Sequence, residues 1–527
     1  MSKSANRISR VRTVCSDLSS SWLLPVVAIL FGSCVTQMLA QETFDADAPA
    51  TTKLSPGKPY QTKMDLNEDP MRTFVVSIPA NARSMSVEVT DTPLLFDIFG
   101  QHEDSPEDFD HQSNDSNENQ LWVTRDDEVP LTDGPYYITL DYSGYALPVL
   151  RNRTVAEVSF TINVRFFKPR VDGQLKPGAA LSSKVEADNG WIRTYTIDVP
   201  KQAKVLRLDL DKSRSDLDMH VRHKKSMLSF EDSDHVATSA LGRETLIIDR
   251  SSDPPLREGR YFIDVVEPWY MDMSEFTIYT SFDDKPPKAL LDIPRLTVSQ
   301  EKNLRAVYSS VEIFTSTTSA SGTIVSPKGL ILTNEHVVSE ILALRKTNPP
   351  DSAESKLDEV VISVTLDPRD PPIEMFRGRI VDAVKEDDIG IVQITSGYYG
   401  QPLPEGYRFP FVEFGDAQKL QFGDSLRIVG YPGIGGLRNR PTVTMTQGNV
   451  SGFGRSDTGF LRVKTDAGIT AGNSGGAALN DKWQLVGVPS MTVGDVELGL
   501  SEMGIVFSID AIPRSWREII AKQISED

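Results

Sequence analysis

Two stretches of this chain repeat one another, and a repeated unit constrains the fold more tightly than any composition does. Leu54-Ser55-Pro56-Gly57 returns as Leu175-Lys176-Pro177-Gly178, 121 residues on. Phe74-Val75-Val76-Ser77-Ile78-Pro79 returns as Tyr195-Thr196-Ile197-Asp198-Val199-Pro200, and Leu95-Phe96-Asp97 as Asp216-Leu217-Asp218, at the same offset. Gly134-Pro135-Tyr136-Tyr137-Ile138 matches Gly259-Arg260-Tyr261-Phe262-Ile263, with the offset grown to 125. Two copies of one small domain are therefore expected, over 41–170 and 171–283. Met85, Val87 and Val89 alternate with Ser84, Ser86 and Glu88, and Leu206, Leu208 and Leu210 alternate with Arg207 and Asp209. That period of two predicts strands, and short strands cut by Pro, Gly, Asp and Asn clusters predict an antiparallel β-sandwich. Residues 284–295, with Pro286-Pro287, read as an extended linker, because consecutive prolines fix φ and remove donors.

The charge balance excludes one class of partner. The 527 residues carry 55 Lys+Arg against 74 Asp+Glu, a net charge of −19, which repels a phosphate backbone, so no nucleic-acid partner is expected. Cys15 and Cys34 are the only cysteines, so disulfide frameworks, Cys-ligated zinc and a cysteine nucleophile are excluded from everything after residue 40.

Lys3, Arg7, Arg10 and Arg12 precede an apolar run from Trp22 to Val35 and a small residue at Ala40. This is the pattern of a secretory signal peptide over 1–40, and the run falls short of the roughly 20 apolar residues of a spanning helix. A retained anchor is the alternative, which leaves a membrane tether through this segment open. Phe31-Gly32-Ser33-Cys34 weakly resembles a lipoprotein acylation site. The remainder is expected to be exported, to the periplasm or beyond the cell.

Residues 101–119 hold seven acids and no Lys or Arg. Carboxylates suit calcium, but no EF-hand spacing accompanies them, so a solvated loop is the preferred reading and no other cofactor is expected. His102, His111, His220, His223 and His235 have no ligand-like spacing and read as ordinary surface residues.

Three segments of the last 232 residues carry chemistry. Ser321 to Val338 reads as strand, tight turn at Pro327 to Gly329, strand, and then His336. Asp388 opens the apolar run Ile389 to Ile394. Thr465 to Gly476 ends in Gly472-Asn473-Ser474-Gly475-Gly476. A serine hydroxyl is a weak nucleophile and needs an imidazole to take its proton. The imidazole needs a carboxylate to set its tautomer, and the developing oxyanion needs backbone amides, which glycines bring close. His336 is the only histidine after residue 284, so it is the only candidate base there. The order His, Asp, Ser, with separations of 52 and 86 residues, is that of the chymotrypsin arrangement. Singly, each segment also reads as a turn, a surface histidine or a strand-end acid. Together they predict His336 as base, Asp388 as orienting acid with Asp387 as competitor, Ser474 as nucleophile, and Gly472, Asn473 and Ser474 around the oxyanion.

Within an expected domain over 296–527, residues 296–512 resemble the HtrA-like serine proteases of the trypsin-like superfamily. Ser321-Gly322-Thr323 with Leu332 to Val338, Asp388-Ile389-Gly390-Ile391, Thr465-Asp466-Ala467 with Gly472 to Gly476, and Gly504 to Ile509 carry the resemblance. Glu335 stands where that family commonly has Asn. The resemblance implies a chymotrypsin-like double β-barrel and an endopeptidase acting on protein or peptide substrates. It places the pocket for the residue before the cleaved bond beside Gly468 and Ile469. Ile469 leaves no carboxylate there for a cationic side chain, so small or medium aliphatic residues are expected. Asp466 is read as structural. No PDZ domain is expected after the barrel, only a helix, with Asp510 as its cap and Ile512, Trp516, Ile519 and Ile520 on its apolar face. The two repeats resemble the bacterial pre-peptidase C-terminal domain, whose Asp-Leu-Asp strand is matched by Asp216-Leu217-Asp218. The fold expected is mainly β: two jelly-roll-like sandwiches, then the double barrel with a C-terminal helix. The family's trimer does not carry over, so oligomerisation stays open. A silent protease fold acting as chaperone or scaffold, and a binding protein working through its sandwiches, are the alternatives.

Overall fold

A computed structural model describes residues 51–526 except 67–69, 104–108, 114–118, 143–156, 212, 271–272, 316–318, 348–358, 434–435, 437–439 and 494–502. The leader segment 1–40 lies outside the described residues. Among the described residues no helix is long and apolar enough to cross a membrane.

The repeat becomes two sandwiches with one strand order. In the first, Thr52–Lys53, Met71–Ile78, Gly134–Asp141, Asp97–His102 and His111–Gln112 form one sheet, in that order. Tyr60–Asp65, Glu157–Phe167, Ser84–Thr90 and Gln120–Thr124 form the other. The second copy stacks Val171–Gln174, Ile192–Val199, Gly259–Val266, Asp218–His223 and His235–Ala237 on Ala180–Val185, Ser274–Ser281, Val205–Asp211 and Glu244–Asp249. The inner faces supply the cores, around Phe74, Met85 and Phe160 in one copy and Leu206, Leu208, Leu210 and Phe276 in the other. The first strand of each copy pairs in parallel with the next, a departure from the all-antiparallel expectation.

Alternation alone misreads one sheet. Arg207, Asp209 and Asp211 stand on the outer side of Val205–Asp211 and are as buried as the leucines between them. The cause is tertiary: Arg207 donates to the Asp284 carbonyl at 2.7 Å, and its guanidinium lies 5.8 Å from the Tyr399 ring of the C-terminal domain. The expected linker is likewise no free spacer. Leu290, Ile293 and Leu296 are buried, the last two in the core of the first barrel, and Tyr407 donates to the Pro294 carbonyl at 2.7 Å.

The C-terminal domain is two closed six-stranded barrels. Ser310–Phe314, Ser319–Ile324, Leu330–Thr333, Ile389–Gly397, Ile373–Val384 and Glu359–Val364 close the first, in ladder order. Ser425–Gly430, Thr444–Arg455, Leu461–Thr465, Met503–Ser508, Leu485–Val493 and Ala477–Leu479 close the second. A shared core of Leu330, Leu332, Ile389, Ile391, Val429, Leu479 and Leu485 joins them, and Trp516 and Ile520 of the helix Arg514–Ser525 pack into it. That helix differs from expectation at two positions. Pro513 is its N-cap, while Asp510 lies in a preceding 3₁₀ turn and accepts from Gln418, and Ile519 is exposed.

Candidate active site

The two barrels bring the three chemical segments together. Leu330–Thr333 delivers the chain to Asn334, which is fully buried and donates from Nδ2 to the Asp388 carbonyl at 2.8 Å. The helix Glu335–Thr347 starts directly after it, so His336 sits in its first turn. His336 Nδ1 lies 2.9 and 3.0 Å from the two oxygens of Asp388, and its backbone amide donates to Oδ1 at 3.1 Å. The His336 side chain keeps 48% of its surface exposed, which leaves it open to an incoming substrate.

Asp388 is held in the left-handed region at φ 47°, which Asp tolerates better than most residues. That turn sends two successive acids opposite ways. Asp388 faces His336, whereas Asp387 is buried and accepts from Thr458 of the second barrel. Ser490, on the strand Leu485–Val493, donates to Asp388 Oδ2 at 2.6 Å. Burial pushes the Asp388 carboxyl up, but the hydrogen bonds from His336 and Ser490 outweigh it and hold it below its ordinary value. The bond to Asp388 in turn raises His336 above the usual imidazole value, against the opposing effect of burial.

Ser474 lies in a loop that only glycine can close. Gly472 and Gly475 have φ of 95° and 87°, and a Cβ at either would strike backbone, the Tyr431 carbonyl at one and the Ser321 carbonyl at the other. The Ser474 carbonyl accepts from the Ser321 amide at 2.8 Å, pinning the loop to the first barrel. Among the described residues the amides of Gly472 and Ser474 make no backbone hydrogen bond. The Asn473 amide is spent on the Thr470 carbonyl at 3.0 Å, so it drops out of the expected oxyanion set. The Ser474 hydroxyl donates to the Ser490 carbonyl at 2.9 Å.

Gly468 and Ile469 lie just upstream. The Gly468 carbonyl accepts from Thr446 at 2.7 Å, and Ile469 is buried among Ala467, Val463 and Val506. A Cβ on Gly504 would come within 2.6 Å of Ile469 Cδ1. Asp466 accepts from the Asn449 amide of the strand Thr444–Arg455.

Among the described residues, two groups of side chains could gather a cation. His102, Asp110 and His111 bring ligand atoms within 4.8 Å of one another, as do Asp216, Asp218 and Glu244. In the first group the ring nitrogens are already engaged. His102 bonds Asp110 (2.8 Å) and the Thr132 amide (3.1 Å), and His111 bonds Tyr136 (2.7 Å) and the Val129 carbonyl (2.7 Å). That group reads as a hydrogen-bonded core network. It also corrects the surface reading of the histidines, since His111 and His220 are both buried. Much of the acidic stretch 101–119 lies outside the described residues. In the second group Glu244 is pushed up to about 9, by burial and then by its two acidic neighbours.

Sequence comparison adds similarities to known proteins. Residues 320–488 match the trypsin-like peptidase domain. Over 222 residues the chain is 28% identical to a probable periplasmic serine endoprotease, DegP-like, of Pseudomonas putida, covering 39% of each chain. It is 30% identical over 213 residues to a probable periplasmic serine protease, do/HhoA-like, of Haemophilus influenzae, covering 39% of this chain and 36% of that one. The chain thus spans about two fifths of the length of these relatives. Among solved structures, the HtrA-type protease AlgW with tripeptide aligns at 22% identity over 42% of this chain and 62% of its own, with a TM-score of 0.31. Deg5 aligns at 24% identity over 41% of this chain and 93% of its own, with a TM-score of 0.30. The C-terminal part of the chain carries a trypsin-like peptidase domain similar to the HtrA- and DegP-like serine proteases.

Proposed function

We propose that the protein is an exported serine endopeptidase that cleaves peptide bonds in unfolded proteins. The observation that carries the reading is the pair His336–Asp388 at 2.9 Å, linked through Ser490 to a glycine-framed serine. His336 Nε2 takes the Ser474 proton as Oγ attacks the scissile carbonyl, then returns it to the leaving amine. Asp388 fixes Nδ1–H and stabilises the imidazolium, and the amides of Gly472 and Ser474 receive the oxyanion. Three side chains and two amides suffice, so no cofactor enters the reaction.

The buried Ile469 against Gly504 favours a short apolar pocket. A cationic side chain there would lack a partner, so Val, Ala, Ile or Leu are the preferred residues before the cleaved bond. The sandwiches, similar to the pre-peptidase C-terminal domain, are accessory domains. Periplasmic names among the relatives and the leader pattern support export.

The test is digestion of a denatured protein by the full chain and by Ser474→Ala. Turnover is expected to fall about 10⁶-fold in the variant. Equal turnover in both would refute the assignment.

A further inference from the structure

Every polar atom of Ser321 is engaged. The residue is fully buried on the strand Ser319–Ile324, and its amide donates to the Ser474 carbonyl at 2.8 Å. Its carbonyl accepts from Thr333 Oγ1 at 2.8 Å. Its hydroxyl accepts from the Tyr431 amide at 2.8 Å and donates to the Gly472 carbonyl at 2.6 Å. One hydroxyl, as donor and acceptor at once, therefore joins the first barrel, the end of the second barrel's strand Ser425–Gly430 and the serine loop. A glycine leaves room for it: a Cβ on Gly430 would stand 2.7 Å from Ser321 Oγ and 3.0 Å from Asn473 Oδ1.

Three consecutive peptide units of the serine loop are held by their carbonyls. The Ala471 carbonyl accepts from the Gly433 amide at 2.9 Å, the Gly472 carbonyl from Ser321, and the Asn473 carbonyl from the Gly476 amide at 3.0 Å. A trans peptide is planar with its N–H and C=O on opposite sides, so a fixed carbonyl fixes the direction of the next residue's amide. Gly433 thus aims the Gly472 N–H, and Gly476 aims the Ser474 N–H, the two donors of the oxyanion site. Gly476 belongs to the serine loop itself, whereas Gly433 lies two residues beyond Tyr431. The Tyr431 ring is fixed separately, its hydroxyl 2.7 Å from Thr365 Oγ1 and 3.1 Å from the Ser310 carbonyl. What Ser321 holds is the backbone that leads to Gly433.

We propose that Ser321 is a positioning residue for the oxyanion site, its hydroxyl tying the Tyr431–Gly433 backbone to the Gly472 carbonyl so that the Gly472 amide stays aimed at the oxyanion. The inference deepens the endopeptidase reading and rests on Ser474 being the nucleophile. Without the hydroxyl, a buried donor at Tyr431 and an acceptor at Gly472 lose their common partner, and the backbone around them rearranges to relieve it. Chemistry suffers more than substrate binding, because the oxyanion forms only on the way through the transition state.

Ser321→Ala in the full chain tests this against Ser326→Ala. Ser326 is a matched control: it is equally buried, and its hydroxyl accepts from the Leu330 amide at 3.0 Å and donates to Gln523 of the C-terminal helix at 2.6 Å. In Ser321→Ala, kcat is expected to fall roughly tenfold to a hundredfold with KM little changed; losing an oxyanion donor outright costs about 10²–10³. Affinity for a tripeptide boronic acid ending in valine, whose boronate oxygen takes the oxyanion's place, should fall by the same factor. Amide exchange should rise in peptides covering 431–433 and 471–476 and stay at the wild-type level in the helix Arg514–Ser525. Ser321→Cys keeps the shape with a weaker donor and should fall between, and it carries the test if Ser321→Ala does not fold. Ser326→Ala should leave kcat, boronate affinity and both peptides unchanged. Wild-type kcat and boronate affinity in both Ser321 variants would overturn the proposal. So would equal losses in Ser326→Ala, which would mark a general cost of removing a buried hydroxyl, or a loss of boronate affinity no larger than the rise in KM. A wild type that binds no boronate would instead refute Ser474 as nucleophile, and the positioning role with it, even where exchange at 431–433 rises.

Discussion

Ser490 bridges the acid and the nucleophile: its hydroxyl donates to Asp388 at 2.6 Å, and its carbonyl accepts from Ser474 at 2.9 Å. The carbonyl bond parks the Ser474 proton on the strand, so attack requires that hydroxyl to turn to His336. The hydroxyl bond is charge-assisted, a class worth about 1.5–3 kcal/mol. Ser490→Ala is therefore expected to lower kcat roughly tenfold with little change in KM, and Ser490→Thr to restore most of it. Steady-state kinetics on a peptide substrate checks this.

The pH dependence has a fixed sign. His336 must be neutral to accept a proton, and Asp388 raises it above the ordinary 6.5, so the acid limb of kcat/KM should lie above 6.5. Asp388→Asn should move that limb down and cut kcat by about 10⁴-fold, whereas Asp387→Asn should spare the limb. The same pair contributes to stability. The part from His336 is fully present below 6.5 and is lost as pH rises through its raised value. The part from Asp388 is present above its ordinary 3.8 and is lost as pH falls through its lowered value. A pH–rate series on wild type and both variants reads the outcome.

The C-terminal helix should matter to stability at one face only. Trp516 is 1% exposed between the barrels and donates to Asp382 at 3.0 Å. Trp516→Ala should cost about 3–5 kcal/mol in denaturant unfolding of this domain. Ile519→Ala, at an exposed site, should stay within about 0.5 kcal/mol.

Specificity should be graded. Cleavage products of a denatured protein mixture are expected to end in Val, Ala, Ile or Leu, with neighbouring sizes separated by about 1–3 kcal/mol. Ile469→Ala should admit larger side chains. A dominant Lys or Arg at the cleaved position would contradict a pocket bounded by Ile469 and Gly504.

The sequence is most informative where chemistry is local. Gly472 and Gly475 announce a loop with positive φ, and the alternation of Met85, Val87 and Val89 announces a strand; both follow from a few neighbouring residues. The mainly β class was legible in this way, and the double barrel only through the resemblance to the HtrA-like proteases. Ser490 was not, because it meets Asp388 across 102 residues and stands in an ordinary strand. Arg440, Glu312 and Glu374 are all buried, and nothing near them in sequence signals it, because their partners are distant in the chain. The burial of His111 depends equally on a distant partner, Tyr136, and on its place between strands.

The central claim is that Ser474 is a nucleophile activated by His336. Incubating the full chain with a fluorophosphonate and mapping the adduct by peptide mass spectrometry tests it most directly. The account predicts one adduct, on Ser474, absent from Ser474→Ala and strongly slowed in His336→Ala and Asp388→Asn. An unmodified Ser474 in the folded wild type, or labelling indifferent to His336, would contradict it.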